Sequence, residues 1–239
     1  MLRLVLSRFY PIYRIQEMPL LPTSWTKVAT KNSVKAATRK NVFSSMKNNR
    51  NGKASVLTEQ DYLKIRKFIQ SKKYKLLFDI ARYTGERWGA ICKLSVADIW
   101  DENWNVRSHI TFRAITRKAN TKGKRKTREC PIHPQLRELL EAYRPIDASC
   151  WLFPARSDVS SPLPLRSADA MLRRAVEDAG LGHKGISTHS TRRTFITRLW
   201  EKGVDLHTLQ ELTGHSDTKT LRGYIETNPE RVSGALALL

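Results

Sequence analysis

T-H-S-T-R-R-T-F-I-T-R-L-W-E-K-G-V-D-L-H-T-L-Q-E-L-T-G-H-S-D-T-K-T-L-R-G-Y-I-E, residues 188–226, is the stretch on which the reading of this 239-residue chain turns. His189 and Arg192 stand three residues apart, one helical turn, and so share a helix face. A helix over 191–202 with Phe195, Ile196 and Leu199 inward stops at Gly203, and Asp205 caps a short apolar helix through Leu206, Leu209 and Leu212. The pair Gly214-His215 follows, and Tyr224 lies nine residues beyond His215. On one continuous helix, at about 100° per residue, His215 and Tyr224 would point in opposite directions. They converge only if His215 starts one element and Tyr224 sits on a later one, with Asp217 as N-cap and Leu221 turned inward. Together these residues supply a fixed cation, two imidazoles and a phenol, the groups that grip a phosphodiester and attack it without a metal. A lone Tyr or His is most often a core or surface residue. Four such positions in this order within 36 residues are a far narrower coincidence.

The rest of the chain agrees with a polyanionic partner. Against 43 Lys and Arg stand 22 Asp and Glu, a formal net charge of +21, which opposes basic partners and suits nucleic acid. Charge alone does not separate DNA from RNA, or an enzyme from a binder. Cys92, Cys130 and Cys150 are odd in number, widely spaced and without a C-x-x-C pair, so they read as reduced, inert thiols. No His/Cys cluster has metal-ligand spacing, and no apolar run approaches the ~18 residues of a membrane span. The expected location is the cytoplasm, on the nucleoid, with no membrane and no small-molecule substrate.

Residues 1–55 read as a basic, poorly structured arm and linker, with ten Lys or Arg before Lys53 and a single acid, Glu17. Residues 56–239 form the compact part. Thr58-x-x-Asp61 is a capping box, after which Tyr62, Ile65, Phe68 and Ile69 keep helical spacing. A second helix over 73–83 buries Leu76, Leu77 and Ile80 and stops at Gly85, and a short one follows over 88–92. From Trp104 to Ile132 the pattern turns to strands: H-I-T-F-R-A-I-T alternates, and E-C-P-I returns after a polar basic turn. Pairing Arg128 with Lys118 centres that turn near Gly123. Helices follow over 134–143 (Leu136, Leu139, Leu140 inward) and 165–180 (Leu172, Ala175, Val176, Ala179 inward), separated by a loop that Trp151-Leu152-Phe153 anchors.

The order T-G-x-R at Arg87, H-x-x-R at His189 and Arg192, G-H at His215 and then Tyr224 resembles the catalytic segment of the tyrosine recombinases, the phage integrase family. The resemblance runs from about Thr58 to the C-terminus. It implies an α+β fold, mainly helical with a small antiparallel sheet, and site-specific recombination of double-stranded DNA through a 3′-phosphotyrosyl intermediate, with no cofactor. It assigns Arg87 and Arg192 to the phosphate, Tyr224 to attack, His189 to the phenolic proton, His215 to the transition state, and a hairpin lysine to the leaving 5′-oxygen. Lys118 is the first choice for that lysine and Lys122 the second. Arg193 reads as a phosphate contact or ion-pair residue. A tetramer on two duplexes is the family expectation, and the tail after Tyr224 is expected to dock on a neighbouring protomer.

Two departures stand out. The family has a carboxylate three residues after its first arginine, where this chain has Ala90, and Glu86 is not taken to replace it. The family's helical clamp domain is also not legible in residues 1–55. The alternative is therefore a catalytically weak DNA-binding relative of the same fold, acting as an accessory or regulatory protein. A helix-turn-helix regulator and a type IB topoisomerase are further rivals.

Overall fold

The computed structural model describes residues 53–119, 123–145, 149–215 and 221–224. Residues 1–52 of the basic arm, Lys122, Asp217 and the tail after Tyr224 lie outside them. Helix α1 (Glu59–Phe68) starts where its capping box predicts: the Thr58 hydroxyl accepts from the Asp61 amide, and the Asp61 carboxylate accepts from the Thr58 amide. Ile65 and Ile69 turn inward, but Phe68 remains 40% exposed. Helix α2 (Lys72–Thr84) is the axis of the fold, with Leu76, Leu77, Phe78, Ile80 and Ala81 all buried. A helix buried over so much of its surface needs neighbours on several sides. Here α2 meets the short α3 (Trp88–Ile91), α4 (Pro134–Glu141) and α6 (Thr188–Glu201), while α5 (Leu165–Asp178) packs on α1 and α3. Gly85 ends α2 in the left-handed conformation, with φ 59°.

Among the described residues the sheet has two strands, β1 (His109–Phe112) and β2 (Arg128–Pro131), paired antiparallel. Its register corrects the reading from sequence. Arg128 faces Phe112, not Lys118, because the ladder stops four residues into the alternating run. Residues Ala114–Thr116 form a 3-10 turn instead, in which the Thr116 amide and hydroxyl both donate to the Arg113 carbonyl. The Ala114 amide finds the Thr127 hydroxyl. Local partners thus replace the ladder bonds that would have carried Lys118 onto a strand. Gly123, with φ 72°, keeps its expected place in the turn. Ser95 bridges to Trp151, and Leu152 and Phe153 behind it are buried, so the long loop is anchored as expected.

Helix α6 begins at Thr188, earlier than its apolar spacing suggests, because the Ser190 hydroxyl accepts from the Ser187 amide at the helix start. His189 consequently sits on the first turn and not in the loop before it. Helix α7 (Leu206–Thr213) is capped by the Asp205 carboxylate, which accepts from the amides of His207 and Thr208. A second core joins Ile196 of α6, Leu209 of α7 and Leu221, each fully buried, with Phe195, Leu199 and Tyr224 packed around them. This smaller core carries Tyr224 back toward α6.

Candidate active site

Three turns converge on one cleft. Arg87 is the N-cap residue of α3, and its position is fixed from behind: the indole N–H of Trp88 donates to the Thr191 hydroxyl of α6 at 3.0 Å, and the same ring meets Phe78 edge-on. His189 and Arg192 arrive on the first two turns of α6. Lys118 arrives on the segment after the 3-10 turn. Arg87, Lys118, His189 and Arg192 line a single cleft of about 580 Å³. Lys93, Arg117 and Arg125 line it too, and among the described residues no carboxylate does.

Arg192 is the most deeply set of these groups, at 1% exposure. Its Nη1 donates to the Gly85 carbonyl at 2.8 Å, and its Nη2 donates to the Thr213 carbonyl at 3.0 Å. The two acceptors are the last residues of α2 and α7, or lie next to them, so one guanidinium ties both helix ends to α6. Helix C-termini carry unsatisfied carbonyls and partial negative charge, which is where a cation is best held. Nη2 also meets Nε2 of His215 at 2.9 Å. Burial and the neighbouring Arg87 push the Arg192 guanidinium down from its usual range.

His215 follows Gly214, the left-handed C-cap of α7, and does not open a described helix. Its Nδ1 lies 2.6 Å from the Thr213 hydroxyl, which already donates to the Leu209 carbonyl. Nδ1 must therefore carry the proton, leaving Nε2 to accept from Arg192. Burial and the charges of Arg192 and Arg87 lower the imidazole to about 3, so it is neutral in this setting. The His215 and Tyr224 rings lie 5.9 Å apart, tilted by 47°. The two residues do converge, and Tyr224 does lie on a later segment. The half-buried Tyr224 is held by its amide on the Leu221 carbonyl and by its carbonyl on the Thr197 hydroxyl.

Beneath the cleft lies a group that sequence reasoning set aside. Glu86 is 1% exposed and points inward from the turn between α2 and α3. One carboxylate oxygen accepts from the Arg87 amide at 2.9 Å and stands 4.0 Å from Arg192. The other accepts from Arg128 at 2.9 Å and meets Arg117 at 3.2 Å. Burial would raise this carboxyl; Arg128, Arg117 and the Arg87 amide overcome it and hold the group below its usual value. Arg128 also donates to the Thr84 carbonyl, and Arg117 to the Lys126 carbonyl. The sequence likewise gives Arg117 and Arg128, at the two ends of the polar basic turn, no part in the site. The available signal was the lone acid between Gly85 and Arg87 in a chain so rich in bases. Ala90 itself is buried at 3% exposure. Arg193, expected to meet phosphate or an acid, donates to the Ala54 carbonyl and is 7% exposed.

Among the described residues no group of His, Cys, Asp and Glu could hold a metal ion, and no helix is long and apolar enough to cross a membrane.

A mainly helical fold with a short hairpin, in which Arg87, Lys118, His189 and Arg192 line one basic cleft while His215 meets Arg192 and Tyr224 meets His215 outside that lining, defines the class as a tyrosine recombinase catalytic fold. The model of the Phage integrase family matches residues 55–231, and the chain belongs to that family. It is 29% identical over 184 residues to tyrosine recombinase XerA of Thermococcus onnurineus, covering 75% of this chain and 60% of the relative. It is 32% identical over 114 residues to tyrosine recombinase XerD of Brucella suis, covering 45% of this chain and 37% of the relative. The chain thus spans about a third to three fifths of the length of these two curated relatives. Among solved structures, the fold matches XerA recombinase with a TM-score of 0.60 at 20% identity, over 77% of this chain and 65% of that one. It matches the XerH recombinase bound to its difH substrate with a TM-score of 0.57 at 23% identity, over 77% of this chain and 53% of the other. The catalytic domain of bacteriophage HP1 integrase matches at 0.51 and 22% identity, over 77% of this chain and 95% of that domain.

Proposed function

We propose that this chain cleaves and rejoins double-stranded DNA at specific sites through a covalent 3′-phosphotyrosyl intermediate. The observation that carries the reading is the cleft: Arg87, Lys118, His189 and Arg192 share its lining, and among the described residues no carboxylate is there to compete with a phosphate. Among the described residues the Arg87 side chain makes no hydrogen bond or ion pair, which leaves its fork for non-bridging phosphate oxygens. Arg192 adds positive charge from below, where low polarity strengthens it as the phosphorus becomes five-coordinate.

In the proposed reaction Tyr224 attacks the phosphorus, forming its O–P bond as the bond to the 5′-oxygen breaks. His189 takes the phenolic proton, and Lys118 gives a proton to the departing 5′-oxygen. The ester conserves the bond energy, so a second 5′-hydroxyl reverses the step and no nucleotide is consumed. His215 supports the transition state through Arg192, whose Nη2 its Nε2 meets at 2.9 Å. Double-stranded DNA is the proposed partner, bound by a tetramer across two sites.

The test is capture on nicked suicide duplexes of randomised core sequence, where the broken strand diffuses away and the covalent complex accumulates. The parent chain should form a denaturant-stable protein–DNA adduct, and Tyr224→Phe should bind DNA with parental affinity and form none. DNA binding by the parent without any adduct would favour the alternative, a binding protein that has lost the chemistry.

A further inference from the structure

We infer that Glu86 is the positioning residue of this site, the single carboxylate on which its arginines are aligned. The inference rests on the function proposed above and deepens it. Three guanidinium groups from three separate segments reach Glu86: Arg117 after the 3-10 turn, Arg128 on β2 and Arg192 on α6. The Arg87 amide reaches it as well, so the carboxylate also fixes the backbone from which the Arg87 side chain departs. Each of these arginines has 7% exposure or less in its side chain, and Glu86 has 1%. Water therefore cannot stand in for any of them, and like charges so close would otherwise push apart.

The division of labour follows from which oxygen each group uses. Oε2 takes Arg128 and Arg117, from the two sides of the hairpin turn, and so sets where the Lys118 segment enters the cleft. Oε1 takes the Arg87 amide and faces Arg192, and so sets the spacing of the two guanidinium groups proposed for the phosphate. Glu86 itself does not line the cleft. It acts through the groups that do, by fixing their directions in advance of substrate. The carboxylate stays ionised through neutral pH because its cations hold it so.

This role makes a prediction that a purely structural role does not. Glu86→Gln keeps the shape and the acceptor for the Arg87 amide but removes the charge that orders the guanidinium groups. Single-turnover capture on a saturating nicked duplex should slow by about 10–100-fold, the range in which supporting residues act. The DNA concentration for half-saturation should change by less than about threefold, because Arg87, Lys93 and Lys118 remain at the cleft. Since Glu86→Gln also leaves Arg128 buried without its acid, Glu86→Gln/Arg128→Gln is the second variant, and urea unfolding is followed for both. The double variant should regain stability relative to Glu86→Gln and still capture slowly. Glu86→Asp, which keeps the charge, should recover part of the rate. Parental capture rates in either Gln variant, or a loss of rate that the stability gain of the double variant reverses, would overturn the assignment while leaving the recombinase reading intact. Absence of any adduct with the parent chain would remove both.

Discussion

Gly85→Ala tests how the helix junction supports the site. Gly85 has φ 59°, where an alanine costs about 1–2 kcal/mol. An added Cβ would lie 2.5 Å from Cδ1, 2.7 Å from Cγ and 3.0 Å from Cβ of Phe195. Swinging the half-buried ring aside relieves the first two contacts. The third atom is bonded directly to the α6 backbone and does not move with the ring, so the helices must part slightly, at about 1–2 kcal/mol. The total is about 2–4 kcal/mol. With m near 2 kcal/mol/M in urea, the unfolding midpoint should fall by about 1–2 M at unchanged m. The Gly85 carbonyl accepts from Arg192 at 2.8 Å, so the same displacement should slow covalent capture at temperatures where the variant is fully folded. A midpoint within about 0.3 M of the parent, or parental capture despite a lowered midpoint, would refute the reasoning.

Two further perturbations probe neighbouring parts of the site. Gly214→Ala places a Cβ 2.5 Å from Nη2 of Arg117 at a position with φ 63°; it should cost about 1–2 kcal/mol by thermal or urea unfolding and lower capture, with parental stability the contrary result. His215→Gln should flatten the acid side of the stability profile. Because the folded-state value of about 3 lies below the ordinary 6.5, the unfolded chain takes up the proton first, so His215 contributes stability above pH 6.5 that is lost as pH falls toward 3. The loss attributable to one group cannot exceed about 1.4 kcal/mol per pH unit, and the parent-minus-variant difference in urea midpoints should shrink across that window; a constant difference would count against a neutral, buried His215.

Much of the architecture was legible because its signals are local. The capping box at Thr58, the left-handed Gly85 and the Asp205 cap each depend on a few adjacent residues, and each falls where the sequence puts it. The features that escaped depend on distant partners. Hairpin register could not be read from alternation, since Arg128 turns inward to a carboxylate 42 residues away and local hydroxyl bonds end the ladder at Phe112. The role of Glu86 is not legible because its partners are distant in sequence: from the turn before α3 its carboxylate faces the interior, toward Arg117, Arg128 and Arg192. Phe68 keeps helical spacing yet stays 40% exposed, so its periodicity overstates its burial. The approach of Tyr224 to His215 was foreseeable as a condition, but the cause is the small core around Ile196, Leu209 and Leu221, which only the fold reveals.

The most direct measurement is to identify which of the seven tyrosines carries DNA. After capture on a nicked duplex, the adduct is digested with nuclease and trypsin and the modified peptide is sequenced by mass spectrometry. The account predicts a nucleotide joined through its 3′-phosphate to Tyr224, in the peptide spanning residues 223–231. A nucleotide on any other residue, or a 5′-phosphate linkage, would contradict it.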